Sequence, residues 1–185
     1  YYLALADPDR YRQQALDFAA MYIGKDPQAP NWDPERKKLR SPLNGSKGPR
    51  FETTQVDWEY HRPILAQYLA PFEDMEGLDA TDPHVKADWT DDEVFERVLS
   101  LINSRMTKND VPLNLHSTSM VTHAYIYTGD DKYKNWVLDY IQTWMDHRDK
   151  NGGIVPDNIG PNGEIGELMN GKWWGGYYGW RWPHG

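Results

Sequence analysis

The amino-acid sequence predicts an all-α fold built from repeated helical hairpins. Residues 9–23 and 131–145 carry one helix pattern twice, since an Asp-Arg-Tyr start and an Asp-Lys-Tyr start are followed by similar apolar positions. Apolar residues recur at spacings of three and four in five segments, which is the period of an amphipathic helix. No segment alternates apolar and polar residues as a half-buried strand does. We therefore expect one domain over residues 1–185 in which neighbouring hairpins stack.

Three helices are predicted before residue 110. The first covers residues 9–23 and the second covers residues 57–70. The third is expected over residues 90–106, where Thr90 and Glu93 have the spacing of a capping box. The long segment between the first two helices is rich in Pro, Asn, Gly and Lys, and loops of that length are usually functional or disordered.

Two further helices are predicted over residues 115–127 and 131–147, joined by a tight Gly-Asp turn. Gly152 and Gly153 supply the usual stop after the last helix. If the hairpins form a ring, short turns gather on one face and long loops gather on the other, where they would build the rim of a cleft. Because the sequence starts and stops inside helix patterns, we expect the domain to be incomplete at both ends.

Charge and composition argue against several function classes. The formal net charge is −8 and no basic stripe is present, so no nucleic-acid partner is expected. The one dense basic run, residues 36–40, is interpreted as a solvated face. No apolar run reaches the roughly 20 residues of a membrane span, so no membrane partner is expected. The chain has no cysteine, which excludes disulfides and thiolate metal sites.

Aromatic residues make up 14% of the chain, with nine Trp and twelve Tyr against four Phe. Trp and Tyr combine a flat apolar face with a polar edge. The C–H faces of pyranose rings stack on such side chains, so the composition favours a protein that holds sugars.

Asn114 and His116 form the first candidate site, at the start of the helix predicted over residues 115–127. A helix N-terminus offers unpaired N–H groups and a partial positive charge. An Asn and a His at this position would neutralise a substrate carboxylate or move a proton. The alternative is that Asn114 only caps the helix and that His116 and His123 are ordinary core or surface histidines.

The aromatic segment over residues 173–185 forms the second candidate site. Glycines between its Trp and Tyr residues permit close approach of the backbone to a ligand. Tyr177 or Tyr178 would act as acid or base if nearby cations lowered its pKa. Substrate binding is assigned to Trp173, Trp174, Trp180, Arg181 and His184. The arginine offers a fork of donors that suits a carboxylate. An aromatic core layer of a further helix is the alternative.

The loop over residues 157–167 is a third candidate site. Asp157 and Glu164 would bind substrate, and a pair drawn from Asp157, Glu164 and Glu167 would serve as the acid and base of a glycosidase. The oxygen ligands would also suit Ca²⁺, although Ile159 breaks the EF-hand register. Ordinary turn chemistry is the alternative.

The loop over residues 40–51 is a fourth candidate. Lys47 or Arg50 in this loop would meet an anionic group of a substrate. A surface loop with no contact to a ligand is an equal alternative.

The hairpin sequence Thr128-Gly129-Asp130-Asp131-Lys132-Tyr133, with the aromatic helix after it, resembles the α/α-toroid carbohydrate enzymes. These include heparinase-like and alginate-type polysaccharide lyases and unsaturated glucuronyl hydrolases. The resemblance implies an (α/α)n toroid, of which this chain would be a fragment. It also implies that Asn114 and His116 neutralise a uronate and that Tyr177 or Tyr178 acts as acid or base. In several of those families the Asn and His are adjacent, whereas one residue separates them here.

The sequence therefore predicts a carbohydrate-active enzyme, and within that class a polysaccharide lyase that cleaves a uronic-acid-containing glycan by β-elimination. We expect no cofactor and no strictly required metal, and we expect a secreted or periplasmic location. Two alternatives stay open. One is a glycoside hydrolase that uses the carboxylates of residues 157–167, and the other is a non-catalytic glycan-binding repeat protein. A terpene-processing toroid enzyme is a more remote alternative.

Overall fold

The computed structural model describes residues 6–41, 43–45, 48–64, 68–69, 75 and 86–174. Within these residues the chain is mostly helical, as the sequence predicts. The α-helices are α1 (Pro8–Tyr22), α2 (Gln55–Trp58), α3 (Asp92–Leu101), α4 (Ser117–Thr128) and α5 (Asp131–Lys150). A π-helix follows α3 at Ile102–Met106, and a 3₁₀-helix precedes α4 at Pro112–His116.

Short antiparallel strand pairs accompany the helices, so the expectation of a purely helical chain needs correction. The pairs are β1 (Trp32–Asp33) with β2 (Lys38–Leu39), β3 (Leu43–Gly45) with β4 (Gly48–Arg50), and β5 (Tyr68–Leu69) with β6 (Lys86–Ala87). Strands of two or three residues are too short to show an alternation of apolar and polar side chains, and the sequence pattern therefore gave no signal for them.

The helix predicted over residues 57–70 is wrong. Helix α2 ends at Trp58, and the chain continues in turns in which the His61 and Arg62 N–H groups donate to the Trp58 carbonyl at 2.8 and 2.9 Å. Pro63 follows directly and lacks the N–H group that a continuing helix requires.

The predicted capping box at the start of α3 is also wrong, although the helix itself is confirmed. Asp91 is the N-cap, and its Oδ1 accepts a hydrogen bond from the Val94 N–H at 3.0 Å. The Thr90 hydroxyl donates instead to Asp88 Oδ1 at 2.6 Å. Both Thr and Asp are favourable caps, so sequence alone does not fix which of two adjacent residues takes the position.

The hairpin formed by α4 and α5 is confirmed and lies at the centre of the helical layer. Gly129 ends α4 in the left-handed region at φ 65°, and its N–H donates to the Tyr125 carbonyl at 2.7 Å. Helices α1 and α5 both pack against α4. The buried side chains of this core are Ala19, Leu39, Val121, Ala124, Tyr133, Trp136, Tyr140, Trp144 and Ile159.

A second apolar cluster surrounds α3. Its buried members are Met75, Ala87, Trp89, Phe95, Val98, Ile102 and Met169. Among the residues that the structure describes, no helix is both long and apolar enough to cross a membrane.

Two long loops are fastened to the helical core by hydrogen bonds around Asp110. The Ser41 N–H donates to the Asn109 carbonyl at 3.0 Å. Asp110 and Ile159 exchange backbone hydrogen bonds at 2.8 and 2.9 Å, as in an antiparallel bridge. Further along, His147 Nε2 lies 2.9 Å from the Gly163 carbonyl. The loops that precede α2 and follow α5 therefore meet beside the 3₁₀-helix.

Candidate functional site

The buried carboxylate of Asp110 is the centre of a polar network inside the fold. Its Oδ1 accepts hydrogen bonds from Asn114 Nδ2 at 2.7 Å, from the Val111 N–H at 2.8 Å and from the Tyr140 hydroxyl at 3.0 Å. Its Oδ2 accepts from the Leu39 N–H at 2.8 Å. A buried charge is tolerated when it is satisfied in this way, and one carboxylate thus joins three separate segments of the chain.

Burial and hydrogen bonding act in opposite directions on this carboxylate. Burial raises the pKa of Asp110 to about 6, and the hydrogen bonds from Asn114, Leu39 and Tyr140 together with the charge of Lys38 limit the rise. Burial likewise lowers the pKa of Lys38, while the carboxylates of Asp110, Asp33 and Glu167 raise it. The Asp110 carboxylate and the Lys38 ammonium group are both buried, and each favours the charged form of the other.

Lys38 is held at this place by the β1–β2 hairpin. Trp32 lies opposite Leu39 and Asp33 lies opposite Lys38 in the antiparallel register. Asp33 Oδ1 accepts from the Glu35 and Arg36 N–H groups at 2.9 and 3.0 Å, which closes the turn between the strands. Only 4% of the Lys38 surface is exposed. The interpretation of residues 36–40 as a solvated face is therefore wrong for this lysine.

A cleft of about 290 Å³ opens beside the hairpin, at the small end of the range for ligand pockets. Its lining residues are Pro30, Asn31, Trp32, Asp33, Lys38, Leu39, Arg40, Lys108 and Pro161. Three of these carry a positive charge and one carries a negative charge. The cleft thus has a net positive lining in a chain whose net charge is −8.

Trp32 forms an aromatic wall of the cleft, and its ring packs against two aromatic side chains of α5. Its ring centroid lies 4.9 Å from that of Trp136 and 5.9 Å from that of Tyr140, the latter in an edge-to-face arrangement. Such packing holds the indole in one orientation before any ligand arrives. A ring fixed in this way is suited to stacking on a flat apolar surface.

Arg40 is also held in a defined orientation. Its Nε donates to the Thr107 carbonyl at 2.9 Å, and its guanidinium carbon lies 4.1 Å from the centroid of the Phe51 ring. Burial lowers the pKa of Arg40, and the charge of Glu52 opposes that effect. Arginine nonetheless stays charged in proteins.

Two buried asparagines near the cleft carry unsatisfied polar atoms. Asn31 lines the cleft and is 2% exposed, and its Oδ1 has no hydrogen-bond partner among the described residues. Asn109 is fully buried, and in the same part of the chain neither its Oδ1 nor its Nδ2 has a partner. Unpaired buried amides are rare, and they concentrate here on either side of the Arg40 backbone.

A larger groove of about 440 Å³ lies near α2, but its chemistry is less suited to a ligand. It is lined by Gln55, Val56, Glu59, Arg62, Pro63 and Thr90. The guanidinium of Arg62 is already engaged, since Nε donates to the Trp89 carbonyl at 2.7 Å and Nη2 pairs with Asp92 at 2.7 Å. Volume alone therefore does not identify the site.

The structure places Asn114 and His116, which the sequence predicts to act together, in different environments. The Asn114 amide nitrogen donates to Asp110 at 2.7 Å and to Ser41 Oγ at 3.0 Å, so its two N–H groups are engaged inside the protein. His116 ends the 3₁₀-helix with an exposed side chain and does not line the cleft. The two residues thus lie in different surroundings.

The acidic loop after α5 reaches the cleft through Pro161, and the charge of Glu167 acts on Lys38 through space. Pro161 lines the cleft, whereas Asp157 accepts a hydrogen bond from Asn158 and Glu164 is exposed. The two carboxylate oxygens of Glu167 accept from the Asn162 side chain at 2.7 Å and from the Asn162 N–H at 2.8 Å.

Gly160 is the point at which this acidic loop packs most closely on itself. A Cβ atom built at Gly160 would lie 2.3 Å from the Cβ of Glu167. The position therefore accepts no side chain without movement of the backbone next to Pro161.

The remaining predicted residues belong to the aromatic segment. The ring centroids of Trp173 and Trp174 lie 6.4 Å apart, and 55% of Trp174 is exposed. The Asp157 N–H donates to the Trp173 carbonyl at 2.9 Å, which places the pair beside the acidic loop. Tyr177, Tyr178, Trp180, Arg181 and His184 lie outside the described residues, as does Lys47. Arg50 pairs with Asp57.

Sequence reasoning assigned no functional role to Lys38, Lys108 or Asp110, and it included Arg40 in a candidate loop without giving it a role of its own. The dipeptide Asp33-Pro34 was a usable signal, because it favours a turn and so marks the hairpin that buries Lys38. Asp110 gave no periodic signal, since its partners come from segments far apart in the chain.

The comparisons with known proteins identify a family for the chain but do not indicate a reaction or a ligand. Among the described residues, no group of three or more His, Cys, Asp or Glu side chains is placed to hold a metal ion. Neither the curated proteins nor the solved structures yielded a match to the chain. A family model described as "Domain of unknown function (DUF8034)" matches residues 1–185, and the chain therefore belongs to that family.

Proposed function

We propose that the protein is a carbohydrate-active enzyme, and specifically a polysaccharide lyase that cleaves a uronic-acid-containing glycan by β-elimination. One observation carries the proposal: the cleft combines the packed ring of Trp32 with the cationic side chains of Arg40 and Lys108. A uronic acid residue carries the matching features, because its pyranose ring has an apolar C–H face and its C5 substituent is a carboxylate.

Neutralising that carboxylate is the central requirement of the reaction. The C5 proton becomes acidic enough for removal by a side chain only when the negative charge that develops on the carboxylate is stabilised. Arg40 and Lys108 supply positive charge at the cleft. Charges fixed in a poorly solvated cleft act more strongly than the same charges in water.

Lys38 is the side chain in the cleft that suits proton removal. Its burial lowers its pKa, which favours the neutral amine that a base requires. In the proposed step the Lys38 amine takes the C5 proton, a double bond forms between C4 and C5, and the bond from C4 to the glycosidic oxygen breaks. The leaving oxygen takes a proton from Tyr177 or Tyr178, as the resemblance to the toroid lyases implies.

We further propose that the helices form part of an α/α toroid. Two features support this architecture. The repeated helix pattern of residues 9–23 and 131–145 corresponds to α1 and α5, and both of these helices pack against α4. Stacked helical hairpins of this kind place their long connections at one end, where the cleft residues lie.

The experiment is a product assay on a panel of acidic polysaccharides that includes polygalacturonate, alginate and a glucuronate-containing glycosaminoglycan. A lyase produces an unsaturated uronate, detected by its ultraviolet absorbance, together with new reducing ends. New reducing ends without that absorbance would identify a hydrolase instead, and binding without either product would identify a glycan-binding domain.

The variant Lys108→Gln tests whether the cleft is the site of this activity. It should raise KM about tenfold, because one cation facing the carboxylate is lost. Lys134→Gln is the matched control, since Lys134 is a partly exposed lysine on α5 that does not line the cleft and pairs with Asp131 at 2.7 Å. Equal KM values for the two variants would place the activity elsewhere.

A further inference from the structure

We propose that Arg40 is the residue that selects a free uronate carboxylate over its ester or an uncharged sugar. This inference rests on the proposed function in that it assigns the substrate class of the same cleft. It concerns recognition rather than bond cleavage, and binding measurements test it without turnover.

The orientation of the guanidinium is the first argument. Its Nε hydrogen bond to the Thr107 carbonyl, at 2.9 Å, fixes one edge. Its stacking on Phe51, at 4.1 Å, fixes the plane. Among the described residues, neither Nη group meets an acceptor. The outer edge of the guanidinium thus remains for a ligand, and arginine that is already oriented loses little entropy on binding.

The distribution of neighbouring charge is the second argument. The charge of Glu52 acts on Arg40 through space and raises its pKa. Among the described residues, the two side chains do not form an ion pair within 4.0 Å. Asp33, the carboxylate that lines the cleft, is already paired with Arg36 at 3.1 Å. Arg40 therefore meets a ligand carboxylate with no internal competitor in direct contact.

The surroundings of the Arg40 backbone are the third argument. Its N–H donates to the Asn31 carbonyl at 2.8 Å, and the next residue, Ser41, bonds twice to the Asn109 carbonyl, at 3.0 Å through N–H and 2.8 Å through Oγ. The backbone at Arg40 is thereby fixed on both sides. A rigid backbone and a stacked guanidinium together present two parallel donors, which is the geometry that a carboxylate accepts in a bidentate manner.

The test measures affinity by isothermal titration calorimetry with oligogalacturonate, oligomannuronate and an oligosaccharide rich in glucuronate. The tightest binder of the three is then compared with its own methyl ester. Wild-type protein should bind the free acid roughly 10- to 100-fold more tightly than the ester. Arg40→Gln should bind the two forms equally, and Arg40→Lys should keep only part of the preference because it retains charge but loses the fork.

Arg97→Gln is the matched control, since Arg97 lies on α3 with an exposed side chain that does not line the cleft. A preference for the free acid that survives in Arg40→Gln would overturn the proposal, and so would a failure of all three oligosaccharides to bind wild-type protein. Selective binding that depends on Arg40 without any unsaturated product would overturn the lyase function while supporting the role of Arg40. The far-ultraviolet circular dichroism of each variant checks that it is folded.

Discussion

The hydroxyl of Tyr140 donates a hydrogen bond to Asp110 over 3.0 Å, and both side chains are fully buried. The same carboxylate accepts the Leu39 N–H at 2.8 Å. Because Tyr140 belongs to α5 and Leu39 belongs to β2, one acidic side chain connects the helical core to the hairpin that carries Lys38. The rigidity of the cleft wall therefore depends on a contact made well inside the protein.

Replacement of Tyr140 by Phe removes this hydrogen bond while keeping the ring. We expect a loss of about 1–2 kcal/mol in the free energy of unfolding, measured by urea titration, because a buried charged acceptor loses one of its donors. Tyr125→Phe is the control, since the Tyr125 hydroxyl has no hydrogen-bond partner among the described residues. Equal losses in the two variants would contradict the account of the network.

The pH dependence of stability should carry a contribution from Asp110. Its pKa in the folded protein is about 6, above the ordinary value of 3.8, so the folded state holds this proton more tightly than the unfolded chain. The contribution is therefore fully present below about pH 4 and is lost as the pH rises through about 6. The difference between the two pKa values corresponds to about 3 kcal/mol as an order of magnitude.

Urea titrations of wild type and Asp110→Asn between about pH 4 and pH 7.5 isolate this contribution. The stability of wild type minus that of the variant should fall across that interval, because asparagine does not titrate. A difference that stays constant or rises with pH would show that Asp110 keeps its charge throughout.

Lys38 should be required for turnover but not for binding. Arg is a long basic side chain like Lys but cannot act as a base, because it does not lose its proton in proteins. We expect Lys38→Arg to lower kcat roughly 100-fold or more and to leave the affinity for the oligosaccharide within a few-fold of wild type. A variant that keeps its kcat would remove Lys38 from the proton-transfer step.

The N-terminal cap of α3 gives a test that is independent of function. Asp91→Ala should lower the free energy of unfolding by about 1 kcal/mol, because the Val94 N–H loses its acceptor. Thr90→Ala should cost less, since within the described part of the chain the Thr90 hydroxyl bonds only to Asp88 in the preceding turn. Thermal unfolding of both variants in parallel measures the order, and the reverse order would restore Thr90 as the cap.

The sequence predicted those parts of the fold that depend on local periodicity. The helices over residues 9–23, 115–127 and 131–147 appear as α1, α4 and α5, because each repeats apolar side chains every three or four residues. The prediction of a helix over residues 57–70 was wrong, because the apolar spacing continues through this segment but Pro63 cannot donate the backbone hydrogen bond of a continuing helix. The local sequence pattern therefore predicted which segments are helical better than it predicted where each helix begins and ends.

The candidate site was less predictable, for a physical reason. The burial of Lys38 follows from the β1–β2 hairpin, whose two-residue strands carry no pattern. The role of Asp110 follows from partners at Leu39 and Tyr140, far before and after it in the chain. Asn114 was singled out for its position at a helix start, but the structure gives its N–H groups to Asp110 and Ser41.

The tight packing at Gly160 has a consequence for how this family can vary. Any larger residue there would push Glu167 aside and shift Pro161, which forms part of the cleft. Saturation mutagenesis across residues 157–167 should therefore find position 160 among the least permissive, together with Gly166, where a Cβ would lie 2.6 Å from the backbone of Gly171 and Lys172 at a φ of +70°. A tolerated substitution at position 160 should require a shorter side chain at position 167. We then expect relatives that differ in ligand preference to differ at the side chains that line the cleft, while the backbone of the acidic loop around Gly160 keeps its shape.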